Sequence, residues 1–238
     1  MYKRILLKIS GESIADKEHN QTLNTDKLHA IAQEVKHLHD LGVQIGIVIG
    51  AGNIWRGKFA PRLGIDPAEA DYMGMIGTII NSVALASALK TNGVGACVMS
   101  AIHVSPVTLE FDEKKAIELL EAGNVVVFGG GTGKPFFTTD TAATLRAIQI
   151  KADVICMAKY GVDGVFTADP KVDPNAKLIK EITYQEVIEK KLQVMDMSAI
   201  EMIKDKDIEI LVFNMDDPKN IEKVVKGEKL GTIVSRGI

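Results

Sequence analysis

The sequence has little cysteine, few aromatic residues and no large excess of charge of either sign. Its two cysteines, Cys97 and Cys156, each lie within an apolar run, which suits buried thiols in a reducing cytosol better than a secreted disulfide scaffold. Two isolated cysteines also exclude a cysteine zinc cluster and a CxxC redox motif. With 28 basic and 31 acidic side chains the net charge is -3, so the chain has no overall positive field that would bind nucleic acid or anionic lipid.

Long apolar runs are also absent. The apolar residues 5–7 are interrupted by Lys8, well short of the ~7–15-residue apolar centre of a signal peptide. The longest stretch without charge, residues 72–89, includes Asn81 and Ser82 and falls below the ~20 apolar residues that a membrane-spanning helix needs. We therefore expect a buried helix there, and a cytoplasmic protein that does not contact a membrane.

What is present is the pattern of a folded α/β protein. The 238 residues are 46% apolar and 25% charged, which provides enough chain for one substantial core or two small ones. Short β-branched runs alternate with helical patterns, and several are apolar on consecutive residues, as in strands covered on both faces. The seven predicted strands are residues 4–9, 44–49, 95–99, 125–128, 154–157, 209–213 and 232–234. The prediction is a three-layer α/β/α sandwich around a mainly parallel central sheet, formed by residues 1–238 as a single domain.

Two helix starts are predicted from capping boxes. In a capping box a Ser or Thr is followed three residues later by a Glu, and each side chain binds the other residue's backbone N–H. Thr183 with Glu186 is one match, and Ser198 with Glu201 is the other. Each pair predicts that a helix begins directly after its hydroxyl residue.

Three glycine-bearing loops follow predicted strands, at residues 8–13, 49–57 and 128–141. Ligands of parallel sheets bind beyond the carboxyl ends of the strands, where these loops begin. Glycine lets backbone N–H groups turn toward an anion, and a following helix N-terminus adds a favourable dipole. A single such loop could be only a tight turn, since glycine is the default turn residue. Three of them favour a phosphate-binding protein, in which Lys8 and Arg56 could reach the phosphates.

The spacing of these glycines excludes the two commonest phosphate-binding motifs. The GTGKP segment is not a Walker P-loop, because Phe128 stands at the first glycine and Pro135 at the Ser or Thr that binds magnesium. The dinucleotide fingerprint is missing too, because Trp55 and Lys134 stand where its third glycine belongs. The sequence therefore predicts an anion-binding α/β protein of neither kind.

Nucleophilic and metal-binding motifs are not evident either. The chain has no HExxH, GxSxG or cysteine-based triad. His29, His37 and His39 fall on one predicted helix, where a solvated face explains them better than metal binding. Phosphoryl transfer needs none of these groups, because positioning and charge neutralisation do most of the work. A phosphate acceptor, whose second pKa is ~6, already carries a nucleophilic oxyanion at neutral pH.

Residues 159–174 are predicted as a loop from their turn signals, but their sequence is more specific than that of an ordinary loop. Its segment DGVFTADP resembles the nucleotide-binding loop of the amino acid kinase family, whose members bind ATP at the carboxyl ends of a parallel sheet. Further segments resemble, in order and over nearly the whole chain, the branch that phosphorylates UMP: YKRILLKISGE, VIGAGNIWRG, ADYMGM, MSAI, GTGKPFFTTDTAATLRAI, VMDMSAI, VFNM and KGEKLGTIV. The resemblance implies transfer of the γ-phosphoryl group of ATP, bound with Mg2+, to UMP, giving UDP and ADP for pyrimidine nucleotide (CTP) biosynthesis. It also implies a homohexamer and feedback inhibition by UTP.

The resemblance assigns residues to both substrates, with the UMP side mainly in the first half of the chain and the ATP side mainly in the second. The implied catalytic residues are Lys8, Arg56 and Asp140; Lys8 would neutralise charge on the transferred group, and Asp140 would orient Lys8 and the magnesium nucleotide. The implied ATP-binding residues are Lys8, Ile9, Ser10, Gly11, Gly52, Arg56, Tyr160, Phe166 and Asp169. The implied UMP-binding residues are Ala51, Asp71, Thr132, Gly133, Lys134, Pro135, Phe136, Phe137, Thr138 and Thr139. No residue is implied as a direct metal ligand.

Two departures from the family pattern matter. The second loop reads GAGN where the family commonly has GGGN, so Ala51 must have a negative φ. Residues 16–24 lack the glycine-rich stretch that follows the first strand in members activated by GTP. Activation by GTP is therefore not implied for this chain.

Simpler roles and other functions remain open at this level. Phe136 and Phe137 could be core residues, Asp140 a helix cap and Asp169 a turn former. The activity could be that of a family member acting on a carboxylate, carbamate or isoprenoid phosphate, although GTGKPFFTTD and DYMGM argue against this. The chain could also be a nonenzymatic storage or sensor protein for anions or nucleotides, although its retained lysine, arginine and aspartate argue against that role.

Overall fold

The computed structural model describes residues 2–170, 172–192 and 194–237. Its strands are β1 (Arg4–Ile9), β2 (Gln44–Ile49), β3 (Ala96–Ser100), β4 (Leu109–Glu110), β5 (Val125–Gly129), β6 (Val154–Lys159), β7 (Val165–Phe166), β8 (Leu178–Ile179), β9 (Glu181–Thr183), β10 (Glu209–Asn214) and β11 (Thr232–Ser235). Its α-helices are α1 (Thr25–Asp40), α2 (Ala60–Leu63), α3 (Pro67–Thr91), α4 (Glu113–Glu121), α5 (Thr139–Gln149), α6 (Tyr184–Glu189), α7 (Met197–Ile203) and α8 (Asn220–Val225). Short 3-10 turns lie at Gly11–Ile14 and Gly57–Phe59.

Within the described ranges, one sheet contains nine strands in the order β4-β3-β5-β2-β1-β6-β10-β11-β9. Neighbouring strands are parallel except for the antiparallel pair β10 and β11. β1 lies in the middle, with Lys8 opposite Val48 on β2 and Met157 on β6. The predicted mainly parallel sheet is confirmed, and the carboxyl ends of β1, β2, β5 and β6 meet at one edge.

Helices cover both faces of this sheet. Alternate residues of β1 divide between two cores: Ile5, Leu7 and Ile9 pack with residues of α1, α3 and α8, whereas Leu6 packs with residues of α5. Each fully buried side chain of this size contributes roughly 1.5–3 kcal/mol, so β1 is anchored from both sides. The same alternation places Lys8 on the α5 face. The predicted three-layer sandwich is confirmed.

The observed strands agree with the long predicted runs and differ at the short ones. Residues 4–9 and 44–49 have the bounds of β1 and β2, and the other five predicted strands differ by one or two residues at an end. The prediction misses β4, β7, β8 and β9, because a strand of two or three residues is too short to show a period of two. Residues 159–174 were expected to be only a loop, but they contain β7, which pairs with β8 as a small antiparallel hairpin.

One of the two predicted capping boxes is present. Thr183 and Glu186 bind each other's backbone N–H groups at the start of α6, as predicted. The second prediction is wrong, because the carboxylate of Asp196 accepts the Ala199 N–H at 2.9 Å and caps α7, while Ser198 lies inside the first turn. A carboxylate two residues earlier in the chain thus takes the place of the predicted hydroxyl.

The apolar helix α3 is long and apolar enough to cross a membrane by composition, but it is a core helix. In its most apolar window 56% of the residues are buried inside the protein. Its polar residues Asn81 and Ser82 are fully buried and satisfied, Asn81 by donating to the Gly50 carbonyl at 2.7 Å and Ser82 by donating to the Thr78 carbonyl at 2.7 Å. The prediction of a buried helix is therefore confirmed.

Candidate active site

The loops after β1 and β2 lie against each other at the carboxyl edge of the sheet. Ile9 is buried, and its carbonyl accepts the Gly50 N–H at 2.9 Å. Ser10 precedes the 3-10 turn, and its hydroxyl accepts the N–H two residues on at 3.4 Å. Gly11 packs so closely that a Cβ there would overlap the Gly50 carbonyl oxygen and the Asn53 side-chain oxygen. The backbone of both loops is therefore fixed at the place where β1 and β2 end.

An ion pair joins β1 to the start of α5. The Lys8 ammonium lies 2.8 Å from Asp140 Oδ1, and their side chains are 15% and 21% exposed. The Thr138 hydroxyl caps α5 by accepting the Asp140 N–H at 3.1 Å, so the suggestion that Asp140 is itself the cap is wrong. The helix dipole favours a carboxylate in this first turn. Lys8 is thereby held beyond the strand end, on the α5 face of the sheet.

A second lysine belongs to this corner and was not predicted. Lys159 ends β6, and strand alternation places it on the same face as Met157, which packs with the α5 core. Its ammonium donates to the Val194 carbonyl at 2.7 Å. Burial lowers the pKa of Lys159, while nearby Asp140 raises it and nearby Lys8 lowers it. The sequence did contain a sign of this role: Lys159 is the one charged residue of an otherwise apolar strand, and it lies on the same face of the sheet as Lys8.

Arg56 connects the second loop to the first. Its guanidinium forms an ion pair with Glu12 in the 3-10 turn after β1, and its Nε donates to the Gly52 carbonyl at 3.2 Å. Glu12 also pairs with Lys17 at 2.7 Å. Glu12 was not among the predicted residues, because its partner lies 44 positions away and no local pattern links them. The predicted residues Gly52 and Arg56 thus lie at the junction of both loops.

A first cavity of about 270 Å³ lies beside α3, and we call it the α3 cavity. Of the predicted residues, those lining it are Ala51, Gly52, Asp71, Phe137, Thr138 and Thr139. The lining residues that were not predicted as binding residues are Trp55, Gly57, Ala70, Gly74, Met75, Thr78 and Gly131. The indole N–H of Trp55 donates to the Ala70 carbonyl at 2.8 Å, which fixes the ring in the wall. The small residues Ala70 and Gly74 of α3 leave room for this cavity. In the sequence they are not distinguishable from the other apolar residues of the helix.

Ala51 fits its loop as the sequence required. Among the described residues it is not one of those with a positive φ, and it is 8% exposed. Gly77 on α3 faces it so closely that an added Cβ there would come within 2.9 Å of the Ala51 methyl group. The alanine side chain therefore packs on the helix and leaves the backbone of the loop free to face the cavity.

Residues 132–139 form a turn whose far end closes over the α3 cavity. The Phe136 N–H donates at 2.7 Å to Oδ2 of Asp71, which lines the cavity, and Phe136 has φ 69° but does not itself line the cavity. Phe136 is 73% exposed and Phe137 is 49% exposed, so the suggestion that both are core residues is wrong. The other predicted members of the run, Thr132, Gly133, Lys134 and Pro135, do not line the cavity, and the Thr132 hydroxyl donates to the Lys134 carbonyl at 3.0 Å.

The glycine run after β5 is held by hydrogen bonds to buried side chains of α3 and α5. Gly130 has φ +74°, and a Cβ on it would lie 2.6 Å from the Ser100 hydroxyl, so only glycine fits. Its N–H donates to the Thr78 hydroxyl at 2.9 Å. Arg146 is buried and donates to the Gly131 carbonyl at 3.1 Å, and burial lowers its pKa to about 10. The guanidinium therefore stays charged at neutral pH and holds the loop from inside the protein.

A second cavity of about 820 Å³ lies beside α7, and we call it the α7 cavity. Its lining residues are Asp140, Lys159, Ile188, Lys191, Leu192, Val194, Met195, Met197 and Glu201. Thr139 lines the α3 cavity and Asp140 lines the α7 cavity, so the two spaces adjoin at the first turn of α5. The Lys8–Asp140 ion pair stands at this boundary.

The three remaining predicted residues lie in the segment that follows β6. Tyr160 is 52% exposed and lines a separate cavity of about 290 Å³ with Met215 and Pro218, not the α7 cavity. Phe166 is partly buried in the hairpin of β7 and β8. The backbone carbonyl of Asp169 accepts N–H groups three and four residues on, at 3.0 and 2.8 Å. The turn-forming role suggested for Asp169 is therefore present.

Comparison with known proteins extends these observations over the whole chain. Residues 3–214 match the model of the amino acid kinase family. The uridylate kinase of Parabacteroides distasonis is 48% identical over 234 residues, which cover 98% of both chains. The solved UMP kinase of Bacillus anthracis superposes with a TM-score of 0.95 at 41% identity, covering 100% of this chain and 97% of its own. That of Ureaplasma parvum gives a TM-score of 0.93 at 37% identity, covering 99% of each.

Proposed function

The chain belongs to the amino acid kinase family, and we infer that it is a UMP kinase, transferring the γ-phosphoryl group of ATP to UMP to give UDP and ADP. The observation that carries this inference is the meeting of two cavities at one ion pair, Lys8–Asp140. A phosphotransferase needs two nucleotide sites that share one cationic boundary, because the transferred group must face donor and acceptor together. The product UDP is an intermediate on the way to CTP.

The α3 cavity is the proposed UMP site. Asp71 would accept hydrogen bonds from the ribose hydroxyls, and Phe137 would give apolar shape beside the base. Thr138 and Thr139 stand at the N-terminus of α5, where backbone N–H groups and the helix dipole favour a phosphate. The UMP phosphate is mostly dianionic at neutral pH and attacks without a general base. Ala51 and the turn 132–136 complete the proposed UMP side.

The α7 cavity is the proposed ATP site. Its volume lies within the ~300–1,000 Å³ typical of small-molecule sites, and Leu192 and Met195 give it an apolar wall that suits a purine. The phosphates would extend over the backbone of residues 8–11 toward the boundary with the α3 cavity. Lys8 would neutralise charge on the transferred group, and Arg56 and Gly52 would contribute from the adjoining loop. Phe166 and Asp169 on the neighbouring hairpin, with Tyr160 through its backbone, are proposed for the adenosine side.

The residues at this boundary also fit a magnesium nucleotide. Mg2+ takes oxygen ligands and is commonly held by one or two carboxylates together with substrate phosphates and water. Asp140 presents a carboxylate to the α7 cavity, with one oxygen on Lys8. When bound with ATP, Mg2+ would neutralise part of the charge on the phosphates. Asp140 would then orient Lys8 and the metal nucleotide together.

The first prediction concerns the acceptor. We expect ADP release from MgATP with UMP, and much slower release with CMP, dUMP, glutamate, aspartate, carbamate or an isoprenoid phosphate, because the α3 cavity is the proposed UMP site and Asp71 in its wall would accept a hydrogen bond from the ribose hydroxyl that dUMP lacks. The measurement is a coupled ADP assay with each acceptor offered singly. Turnover confined to a carboxylate, carbamate or isoprenoid phosphate would show that UMP is not the acceptor. Stoichiometric nucleotide binding without any turnover would instead indicate a storage or sensor protein.

A self-association surface is proposed on α3, and a homohexamer is the proposed assembly. Tyr72, Ile76 and Ile80 follow one another at helical spacing beside Met73, and all four are 38–51% exposed. An apolar stripe of this kind on a surface helix is typical of a protein interface.

The second prediction follows from this stripe. The double substitution Ile76→Asp and Ile80→Asp is expected to reduce the assembly to smaller species, because two charges would be buried without partners. Analytical ultracentrifugation measures the change, with Leu41→Asp, at the 46% exposed position directly after α1, as the control. A hexamer that survives the double substitution, or the same small species for the unaltered chain, would contradict the proposal.

UTP is proposed as a feedback inhibitor, because its uracil and ribose are those of UMP and would fit the α3 cavity. A cytoplasmic location is proposed because both substrates are cytoplasmic nucleotides. No nucleic-acid or membrane partner is proposed, since the net charge is -3 and the apolar helix α3 is largely buried.

A further inference from the structure

A cluster of one histidine and two glutamates lies between α1 and α8, apart from both cavities of the proposed active site. Glu34 and His37 come from one face of α1, three residues apart, and Glu222 comes from α8. His37 Nδ1 lies 3.8 Å from Glu34 Oε2 and 3.8 Å from Glu222 Oε2, and one possible ligand atom from each residue lies within 4.8 Å of the other two. His37 is 57% exposed, as its predicted solvated face requires, but its Nδ1 faces two carboxylates.

The Glu34 carboxylate lacks the partner that a buried charge needs. The residue is only 6% exposed, and among the described residues Oε2 has no hydrogen-bond partner. The 3.8 Å separation from His37 is too long for a hydrogen bond. A buried carboxylate oxygen is costly unless it is paired, hydrogen-bonded or bound to a metal ion. The unpartnered oxygen therefore points to a cation in the cluster.

Two neighbouring lysines, Lys226 and Lys36, do not pair with Glu34 Oε2. Lys226 pairs with Oε1 of Glu222, which leaves Oε2 of that residue facing His37. Lys36, on the same helix as Glu34, is bonded to Asp40 at 2.5 Å. One imidazole nitrogen and two carboxylate oxygens are thus left facing a common point.

We propose that Glu34, His37 and Glu222 bind a zinc ion that joins α1 to α8. Zinc takes nitrogen and oxygen ligands at about 2.0–2.2 Å in a tetrahedron, which sets the ligand atoms about 3.4 Å apart. The observed 3.8 Å distances need a closing movement of about 0.4 Å, which rotation of the exposed His37 side chain can supply. Magnesium fits less well, because it demands oxygen ligands in an octahedron. Water would fill the fourth position.

The role of this site is structural. α1 follows the loop at the active-site edge of β1, and α8 follows β10, so zinc would clamp two elements that otherwise meet through side-chain packing. Because the ligands converge only in the folded chain, binding stabilises the native state. At a zinc concentration of about 100 times Kd, the expected rise in Tm is roughly 5–10 °C.

The test is titration of the metal-free, nucleotide-free protein with ZnCl2, followed by calorimetry and by thermal unfolding. We expect one equivalent per chain and a rise in Tm. His37→Ala and Glu222→Gln are each expected to lower the zinc affinity by more than the roughly 10–100-fold that loss of a supporting residue costs. Co2+ offered in place of zinc should give a tetrahedral absorption band that both variants lose.

Glu34→Gln separates metal binding from folding. It keeps the shape of the side chain and removes the buried charge, so the metal-free variant should be at least as stable as the original chain, while its zinc-dependent rise in Tm disappears. His19→Ala is the matched control, since His19 is exposed beside a single carboxylate at 2.9 Å and should leave zinc binding unchanged. Equal zinc affinity in the His37, Glu222 and Glu34 variants and in the control would overturn the proposal.

Discussion

Lys8→Met is expected to lower kcat for UDP formation by roughly 10²–10⁴-fold, the range seen when a group that stabilises transition-state charge is removed. Lys8 is the cation at the boundary between the α3 and α7 cavities, and Asp140 fixes it there at 2.8 Å. Methionine keeps the length of the apolar stem and removes only the charge. The loss should appear in kcat more than in KM, because the charge on the transferred group develops in the transition state.

Two companion variants make this result interpretable. Lys8→Met leaves Asp140 without its ion-pair partner, so the Tm of the double variant with Asp140→Asn, compared with the Tm of the single variant, tests whether an unpaired carboxylate destabilises the fold. Lys17→Met is the control, because Lys17 pairs with Glu12 near the same edge but is 70% exposed. A kcat within about threefold of the original for Lys8→Met would remove Lys8 from the proposed catalytic role.

Gly11→Ala is expected to damage both stability and catalysis. A Cβ at this position would overlap the Gly50 carbonyl oxygen and the Asn53 side-chain oxygen, so the loops after β1 and β2 must separate. Forcing extra atoms into a packed site costs roughly 1–3 kcal/mol, and each kcal/mol lowers Tm by about 2–4 °C in a chain of this size. The same separation moves the backbone proposed to hold the ATP phosphates, so kcat/KM for ATP should fall as well.

Gly50→Ala is the matched control for Gly11→Ala. Gly50 faces Gly11, but a Cβ on Gly50 would come no closer than 3.5 Å to the Gly11 nitrogen, which is an ordinary contact. Its Tm in the absence of ligands should therefore change little. Thermal unfolding of both variants provides the comparison, and an equal loss of stability would show that the close approach at Gly11 is not the cause.

Most of the fold could be predicted from the sequence because its main strands carry a strong local pattern. β1 and β2 are short runs rich in Ile, Leu and Val, and their bounds agree with the prediction. The hairpin of β7 and β8 could not be predicted, since two residues on each side form it through pairing across the chain. The start of α7 was misplaced because Asp196 and Ser198 both suit a helix cap, and only the three-dimensional neighbours favour Asp196.

Those neighbours also explain what was missed in the site. Asp196 accepts hydrogen bonds from the hydroxyls of Thr138 and Thr141, with Thr141 at 3.0 Å, so one carboxylate ties the starts of α5 and α7 together. Lys159 and Glu12 were missed for the same reason, since each acts through a residue distant in the chain. The resemblance to a known family indicated Lys8, Asp140 and the glycine loops, but it did not indicate Lys159, Glu12 or Asp196.

The position of the only tryptophan in the chain provides a way to observe the α3 cavity directly. Trp55 lines this cavity, and its indole N–H is bonded to a backbone carbonyl at 2.8 Å. Indole emission depends on the polarity around the ring and on contact with quenching groups. Intrinsic tryptophan fluorescence of the unlabelled protein therefore comes from one fixed fluorophore in the wall of the proposed acceptor site. It can follow occupation of that site separately from nucleotide binding beside α7.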